Sequence, residues 1–199
     1  DFSHKIFFII RNEDEQNFGV KKFIEKIMKE KYTNKKFEIQ ILEKNTRGQA
    51  ETVLCCKKEI DNDRPLVIFN NDTYFKSTRL KSRLLSMKNQ NIDGILGIFN
   101  ANDPKYSFVE IDNEGIVVRT KEKEVISNFA STGLYVFSKG SDFVKSAEYA
   151  IEKNILSKNE FYISELYNFL IKNGKKFTID FADEFTALGT PEDIKKFEA

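Results

Sequence analysis

Histidine is nearly absent from this sequence: the one His in 199 residues is His4, at the entrance to the first apolar run. That scarcity excludes a Ser/His/Asp or Cys/His catalytic arrangement, each of which uses an imidazole as its base. Cysteine is almost as scarce, and the only two, Cys55 and Cys56, are neighbours. They offer no ligand spacing for structural zinc. A vicinal pair reads as two reduced helix residues, which points to a reducing, cytoplasmic compartment. An excess of charge is missing too: 32 Lys+Arg against 31 Asp+Glu leave a net charge of +1, so no global field draws the chain to nucleic acid or to a membrane. No apolar run approaches the roughly 18 residues of a membrane span, and no signal-peptide pattern opens the sequence. Without such a signal, the sequon-like Asn71-Asp72-Thr73 reads as coincidence. Nine glycines are present, but none clusters into a Gly-rich loop. What survives is carboxylate, lysine and backbone chemistry, the set that serves phosphoryl transfer.

What is there alternates. KIFFIIR (5–11) is a continuous apolar run, as expected of a strand buried on both faces. Val20, Phe23, Ile24, Ile27 and Met28 then fall on one helical face. FEIQIL predicts the next strand, RGQAETVLCCKKEI a helix, LVIFN a strand, and STRLKSRLLSMKNQ a helix capped by Ser77 or Thr78. DGILGIF closes this βα repeat, which predicts an α/β layered domain with a mostly parallel central sheet. YSFVEID and IVVRTKEK then read as an antiparallel hairpin insertion turning at Asn113-Glu114-Gly115, with ASTGLYVFS as a further strand. Helical periodicity returns in SDFVKSAEYAIEKN and again from Ile163 to Ile171. KFTIDF is a last strand, and Thr190-Pro191 opens a short final helix with Thr as N-cap and Pro at N1. No repeat, low-complexity tract or linker divides residues 1–199, so the expectation is a single domain.

One strand ends abruptly. LVIFNNDTYF (66–75) runs from apolar residues straight into two amides and the carboxylate of Asp72. A plain surface turn accounts for that. So does a hard-cation site, since Mg²⁺ takes oxygen ligands and keeps several waters. Ligands in open α/β sheets collect beyond the carboxyl ends of the strands, where Asp72 lies, and that favours the second reading.

Three stretches together resemble the nucleotidyltransferase family that joins an NTP to a sugar 1-phosphate or a similar phosphorylated metabolite, including its small-metabolite cytidylyltransferases. Asn45-Thr-Arg-Gly-Gln-Ala-Glu-Thr-Val53 looks like the family's Gly-Thr-Ala-type turn, LVIFNNDTYF like its strand ending in a Mg²⁺-binding Asp, and Glu122-Lys123 followed by Ala130-Ser-Thr-Gly-Leu-Tyr-Val-Phe137 like its Glu-Lys element and Thr-Gly-Ile/Leu-Tyr strand. Leu188-Gly-Thr-Pro-Glu-Asp193 is similar to the family's ending. The resemblance implies a Rossmann-like, GT-A-like fold. It also implies an NTP and a phosphorylated small molecule as substrates, Mg²⁺ as cofactor, and pyrophosphate as leaving group. Asp72 would hold the metal and Lys123 would neutralise the acceptor phosphate. Gly48, Gln49 and Asn71 would bind nucleotide, and Glu122, Thr132, Gly133 and Asn159 would line the acceptor pocket.

Blander readings stand beside these. Gly48 also suits a loop before a helix, Glu122 and Lys123 a solvated strand face, Thr132-Gly133 a β-bulge, and Asn159 a cap. Two departures from the family pattern carry expectations of their own. The chain starts at what resembles the family's second strand, so an N-terminally incomplete domain is expected. Such a fragment should bind nucleotide poorly, be inactive alone, and associate through exposed strand edges; a homodimer is an open alternative. Secondly, Ala187 occupies the position where many members carry a second metal-binding Asp, which leaves Asp180, Asp183 or an unidentified group for that role. Two rivals remain: a GT-A-type glycosyltransferase, disfavoured because Asn70-Asn71-Asp72 is not an Asp-x-Asp, and a non-catalytic nucleotide-binding module.

Overall fold

Alternating apolar segments and amphipathic stretches form the elements their periods predict, in a computed structural model that describes residues 5–199; His4 lies outside the described residues. In chain order they are β1 (Ile6–Arg11), α1 (Asn12–Phe18), α2 (Val20–Lys31), β2 (Phe37–Leu42), α3 (Gln49–Leu54), α4 (Lys57–Ile60), β3 (Leu66–Phe69), β4 (Thr73–Lys76) and α5 (Leu80–Ser86). Then follow β5 (Gly94–Asn100), β6 (Ser107–Ile111), β7 (Val117–Glu122), β8 (Phe129–Phe137), α6 (Gly140–Glu152), α7 (Ile163–Lys172), β9 (Phe177–Phe181), β10 (Glu184–Ala187) and α8 (Pro191–Glu198).

The main sheet runs β7-β6-β8-β5-β9, with β3 also on β8. β5 and β9 are parallel, while β3, β5 and β6 each pair antiparallel with β8. It follows that β3, β5, β6 and β9 share one direction, with β8 and β7 opposed. The hairpin insertion expected between residues 106 and 124 is the β6–β7 pair. β5 and β8 make the centre of the core: Ile95, Leu96, Ile98, Val136 and Phe137 are fully buried. Against one face lie Phe143 and Ala147 of α6 and Leu166, Tyr167 and Leu170 of α7. Leu80 and Leu84 of α5, with Met87 just beyond it, cover the other. Each such large side chain contributes roughly 1.5–3 kcal/mol by leaving water.

Several elements differ from their sequence expectations. β1 pairs in parallel with β2 alone. None of its residues is fully buried, because its other edge borders a cavity of 2010 Å³ that separates it from β3. The helix expected from Arg47 to Ile60 breaks at Cys55 and Cys56 into α3 and α4, with Cys56 buried and Cys55 exposed. Burial pushes the Cys56 thiol up to about 11, so it is inert near neutral pH. β4 and β10, which no local pattern announces, pair antiparallel. α5 starts at Leu80, where the Ser77 hydroxyl accepts the N–H groups of Arg79 and Leu80. Thr190 caps α8 as predicted, its hydroxyl accepting Asp193 N–H at 3.1 Å. Among the described residues no helix is long and apolar enough to cross a membrane.

Candidate active site

The site forms where β8 parts company with its neighbours. β3 pairs the C-terminal half of β8, Leu66 opposite Phe137 through Phe69 opposite Leu134, and β6 meets it at Ala130. Between lie Ser131, Thr132 and Gly133. Here the β5–β8 register shifts, with Leu96 opposite Tyr135 but Ile98 opposite Ser131, so the bulge reading of Thr132-Gly133 holds. It brings Gly133 against Asn70: Asn70 N–H donates to the Gly133 carbonyl at 3.1 Å. With φ at 83° and an added Cβ falling 2.9 Å from Asn70 Cβ, Gly133 leaves no room for a side chain. Thr132 is fully buried, and its hydroxyl lies where a Cβ on Gly97 would fall. Its side chain therefore faces the sheet interior, while its carbonyl accepts the Thr73 hydroxyl at 2.9 Å.

These bonds hold the strand end on which Asn71 and Asp72 stand exposed. The Asp72 carbonyl accepts Leu188 N–H at 2.7 Å, and Ala187 pairs with Thr73. Residue 187 thus sits beside the acid, but offers a methyl group and no oxygen. Asp180 and Asp183 do not replace it. Asp180 is buried in β9, with Arg83 Nε at 3.5 Å. Asp183 accepts both the N–H and the hydroxyl of Thr78 and pairs with Arg79 at 2.5 Å. The Asp183 carboxylate is committed to the start of α5, whereas the buried Asp180 oxygens make no hydrogen bond among the described residues and have Arg83 as their charge partner. Among the described residues no three His, Cys, Asp or Glu come together as a metal cluster. Asp72 and the neighbouring amide of Asn71 could offer oxygens to a hard cation that takes its remaining ligands from water and phosphate.

The turn before α3 faces this strand end. Gln49 Nε2 donates to Asn70 Oδ1 at 3.3 Å, and Gly48, Gln49, Asn71, Asp72 and Glu160 all line the cavity. Gly48 has φ 128°, and a Cβ there would stand 2.6 Å from Phe161 N. Phe161 N–H donates to the Arg47 carbonyl at 2.8 Å, and Ala50 N–H to the Phe161 carbonyl at 2.9 Å. The turn expected to read the base is thereby fastened to the loop preceding α7.

Glu122 and Lys123, adjacent in sequence, part company in space. Glu122 is buried; its carboxylate accepts the hydroxyls of Ser107 and Ser164, and its N–H donates to Glu165 Oε1 at 3.0 Å. Burial raises its pKa, against the opposing pull of those two donors. The solvated-face reading of Glu122 is thus overturned, because α7 packs against β7 and covers it; the left-handed Lys123 (φ 53°) ends the strand just beyond. Lys123 is exposed, and Nζ donates to the Tyr162 hydroxyl at 2.9 Å. Asn159 also has positive φ (67°) and is exposed in the turn closed by Ser157 and Glu160. It does not cap α7, whose N-cap is Tyr162. Sequence reasoning gave Asn70 no role in the site, and took Phe161 and Tyr162 only as part of Asn159-Glu160-Phe161-Tyr162, a stretch that resembles the family's acidic-aromatic turn before its last long helix. The repeated amide of Asn70-Asn71 and the aromatic pair after Asn159-Glu160 were the available signals.

Comparison with known proteins gives a consistent result. The family model described as Nucleotidyl transferase matches residues 4–197. No curated protein matches the chain. Among solved structures, the chain is similar to a nucleoside-diphosphate-sugar pyrophosphorylase from Vibrio cholerae RC9, at 28% identity and TM-score 0.79, over 98% of this chain and 80% of that one. It shares its fold with an inositol-1-phosphate CTP transferase from T. maritima, at 14% identity and TM-score 0.70, over 98% of this chain and 75% of that one. A UDP-glucose pyrophosphorylase complexed with UDP-glucose aligns at 16% identity and TM-score 0.73, over 97% and 78% of the two chains.

Proposed function

Because the chain belongs to the nucleotidyl transferase family, we propose that it joins an NTP to a sugar 1-phosphate or a similar phosphorylated small molecule and releases pyrophosphate. The observation that carries this reading is the convergence on one cavity of a base-side turn (Gly48, Gln49) and the exposed Asp72. The acceptor-side group that the reading pairs with them, Lys123, is tied through Tyr162 and Phe161 to that same turn.

In the reaction an acceptor phosphate oxygen attacks the α-phosphorus in line. A new P–O bond forms as the bond from the α-phosphorus to the bridging oxygen breaks, and its electron pair leaves with pyrophosphate. Lys123 offsets the charge of the attacking phosphate. Gly48 and Gln49 hold the base edge, with Asn71 beside them. Asp72 and Asn71 would hold Mg²⁺, which when bound offsets negative charge on the phosphates. The chain's own work is to fix the two substrates against each other, which accounts for much of the rate in such transfers.

Among the described residues β1 and β3 do not pair with each other, and a cavity lies between them. Consecutive residues of both strands line it, Ile6 to Ile10 and Leu66 to Phe69, so two strand edges face each other across it. Val67 and Phe69 remain 50% and 45% exposed on β3.

Asp72→Asn, made in the protein expressed from its complete reading frame, tests the reading. The amide keeps the shape and removes the charge. Pyrophosphate release, measured with each NTP over a panel of phosphorylated acceptors, should nearly vanish while the melting temperature holds. Turnover within a few-fold of the unmodified protein would reduce Asp72 to a turn residue. Release of a free nucleotide diphosphate from a sugar nucleotide, without pyrophosphate, would point to glycosyl transfer instead.

A further inference from the structure

Tyr162 stands between the two halves of the site. The residue is 9% exposed, and Lys123 Nζ sits 5.1 Å from the ring centroid. Its hydroxyl oxygen accepts a bond from that ammonium at 2.9 Å, the one hydrogen bond made by this hydroxyl among the described residues. A phenol carries one donor proton as well as its acceptor lone pairs. With a lone pair occupied by Lys123, the O–H proton is left to give. An ammonium cannot take it, since Lys has donors only. An anion can.

The placement is fixed from both sides. Lys123 is held in a left-handed conformation (φ 53°), with its N–H donating to the Tyr106 carbonyl at 3.0 Å. A non-glycine residue in that region persists where its surroundings impose it, often at a functional site. On the other side, Phe161 is bonded in both directions to the Arg47–Ala50 segment, so the residue that follows it cannot drift. The bond to Tyr162 also raises the Lys123 pKa, which keeps the ammonium charged.

We propose that Tyr162 is a second ligand of the acceptor phosphate: its hydroxyl receives a hydrogen bond from Lys123 and donates its own proton to a phosphate oxygen. The pair thus presents an N–H and an O–H to one phosphomonoester. A phenol that donates while accepting from a cation is a stronger donor than a free one, because hydrogen bonds in a chain polarise one another. The inference rests on the nucleotidyl-transfer reading.

Tyr162→Phe keeps the ring and its packing and removes only the hydroxyl. A hydrogen bond to a charged group is lost, so KM for the acceptor should rise at least about tenfold, while KM for the NTP changes less than about twofold. Tyr162→Phe is then repeated in a Lys123→Ala background. A direct ligand still costs acceptor affinity there; a residue that merely orients Lys123 costs nothing further, and that result overturns the proposal. As a second handle that does not depend on the folding of the Phe variant, 3-fluorotyrosine at position 162 makes a more acidic phenol of nearly the same shape. It should lower the acceptor KM when assayed at a pH where the phenol stays protonated, and an unchanged KM counts against the proposal. If the unmodified protein releases no pyrophosphate with any NTP and acceptor, the nucleotidyl-transfer reading and this inference fall together. Turnover that Tyr162→Phe leaves untouched overturns the inference alone.

Discussion

Replacing Gly48 by alanine probes the join between the base-side turn and the loop before α7. The residue has φ 128°, and the added Cβ would lie 2.6 Å from Phe161 N and 2.8 Å from Phe161 O. Both are backbone atoms, so no rotamer change relieves the contact. At φ 128° and ψ 177° the backbone lies in a region that is essentially glycine's alone, which costs an L-residue on the order of 1–3 kcal/mol. Separating the two segments enough to fit the methyl group breaks or lengthens Phe161 N–H to Arg47 O and Ala50 N–H to Phe161 O, about 1 kcal/mol each. Alanine also lowers the entropy of the unfolded chain, which returns about 0.4–1 kcal/mol. The net is about 2–4.5 kcal/mol, and at about 2–4 °C per kcal/mol for a domain of this size the melting temperature should fall by about 4–18 °C. Gly115→Ala is the control, since Gly115 has φ 78° but open space where a Cβ would stand; it carries a positive-φ backbone cost without the collision. Calorimetric melts of the two variants separate these contributions, and KM for the NTP should rise only in Gly48→Ala. A Gly48→Ala melt no lower than that of Gly115→Ala would refute the reasoning, because the collision would then cost nothing.

Two further outcomes follow from the same geometry. Burial raises the folded-state pKa of Glu122, so the fold favours its protonated form; that stabilisation is fully present below the ordinary glutamate value and is lost as pH rises through the raised one. Glu122→Gln should therefore gain melting temperature relative to the unmodified protein as pH is taken from mildly acidic to neutral, and a difference that stays constant across that range would show that the buried carboxylate is not the source. The facing edges of β1 and β3 predict that the chain Asp1–Ala199 associates with itself as its concentration rises; a monomer in sedimentation at every concentration would remove the case for open strand edges.

Much of the fold is legible locally. The alternation of KIFFIIR, FEIQIL, LVIF and GILGIF with 3.6-periodic stretches determined an α/β layering, because strand and helix each leave their own spacing of apolar residues. Thr190-Pro191 announced its helix start, and the abrupt end of LVIFNNDTYF marked the strand end on which Asp72 stands. The scarcity of His and Cys confined the chemistry to carboxylate, lysine and backbone groups. Other features have no local signature. β4 pairs with a segment more than a hundred residues away, and that pairing places Ala187 beside Asp72 and ties Asp183 to α5. Glu122 and Lys123 sit in one charged run, and only the packing of α7 against β7 buries the first among Ser107, Ser164 and Glu165 and leaves the second exposed. Lys123 meets Tyr162 across 39 residues, and Gly48 meets Phe161 across a still longer span. Period and capping act within a turn or two of chain, whereas these contacts form only when separate elements pack. The strand end that holds Asp72 could thus be read from the sequence, but the groups that surround it were decided by tertiary structure.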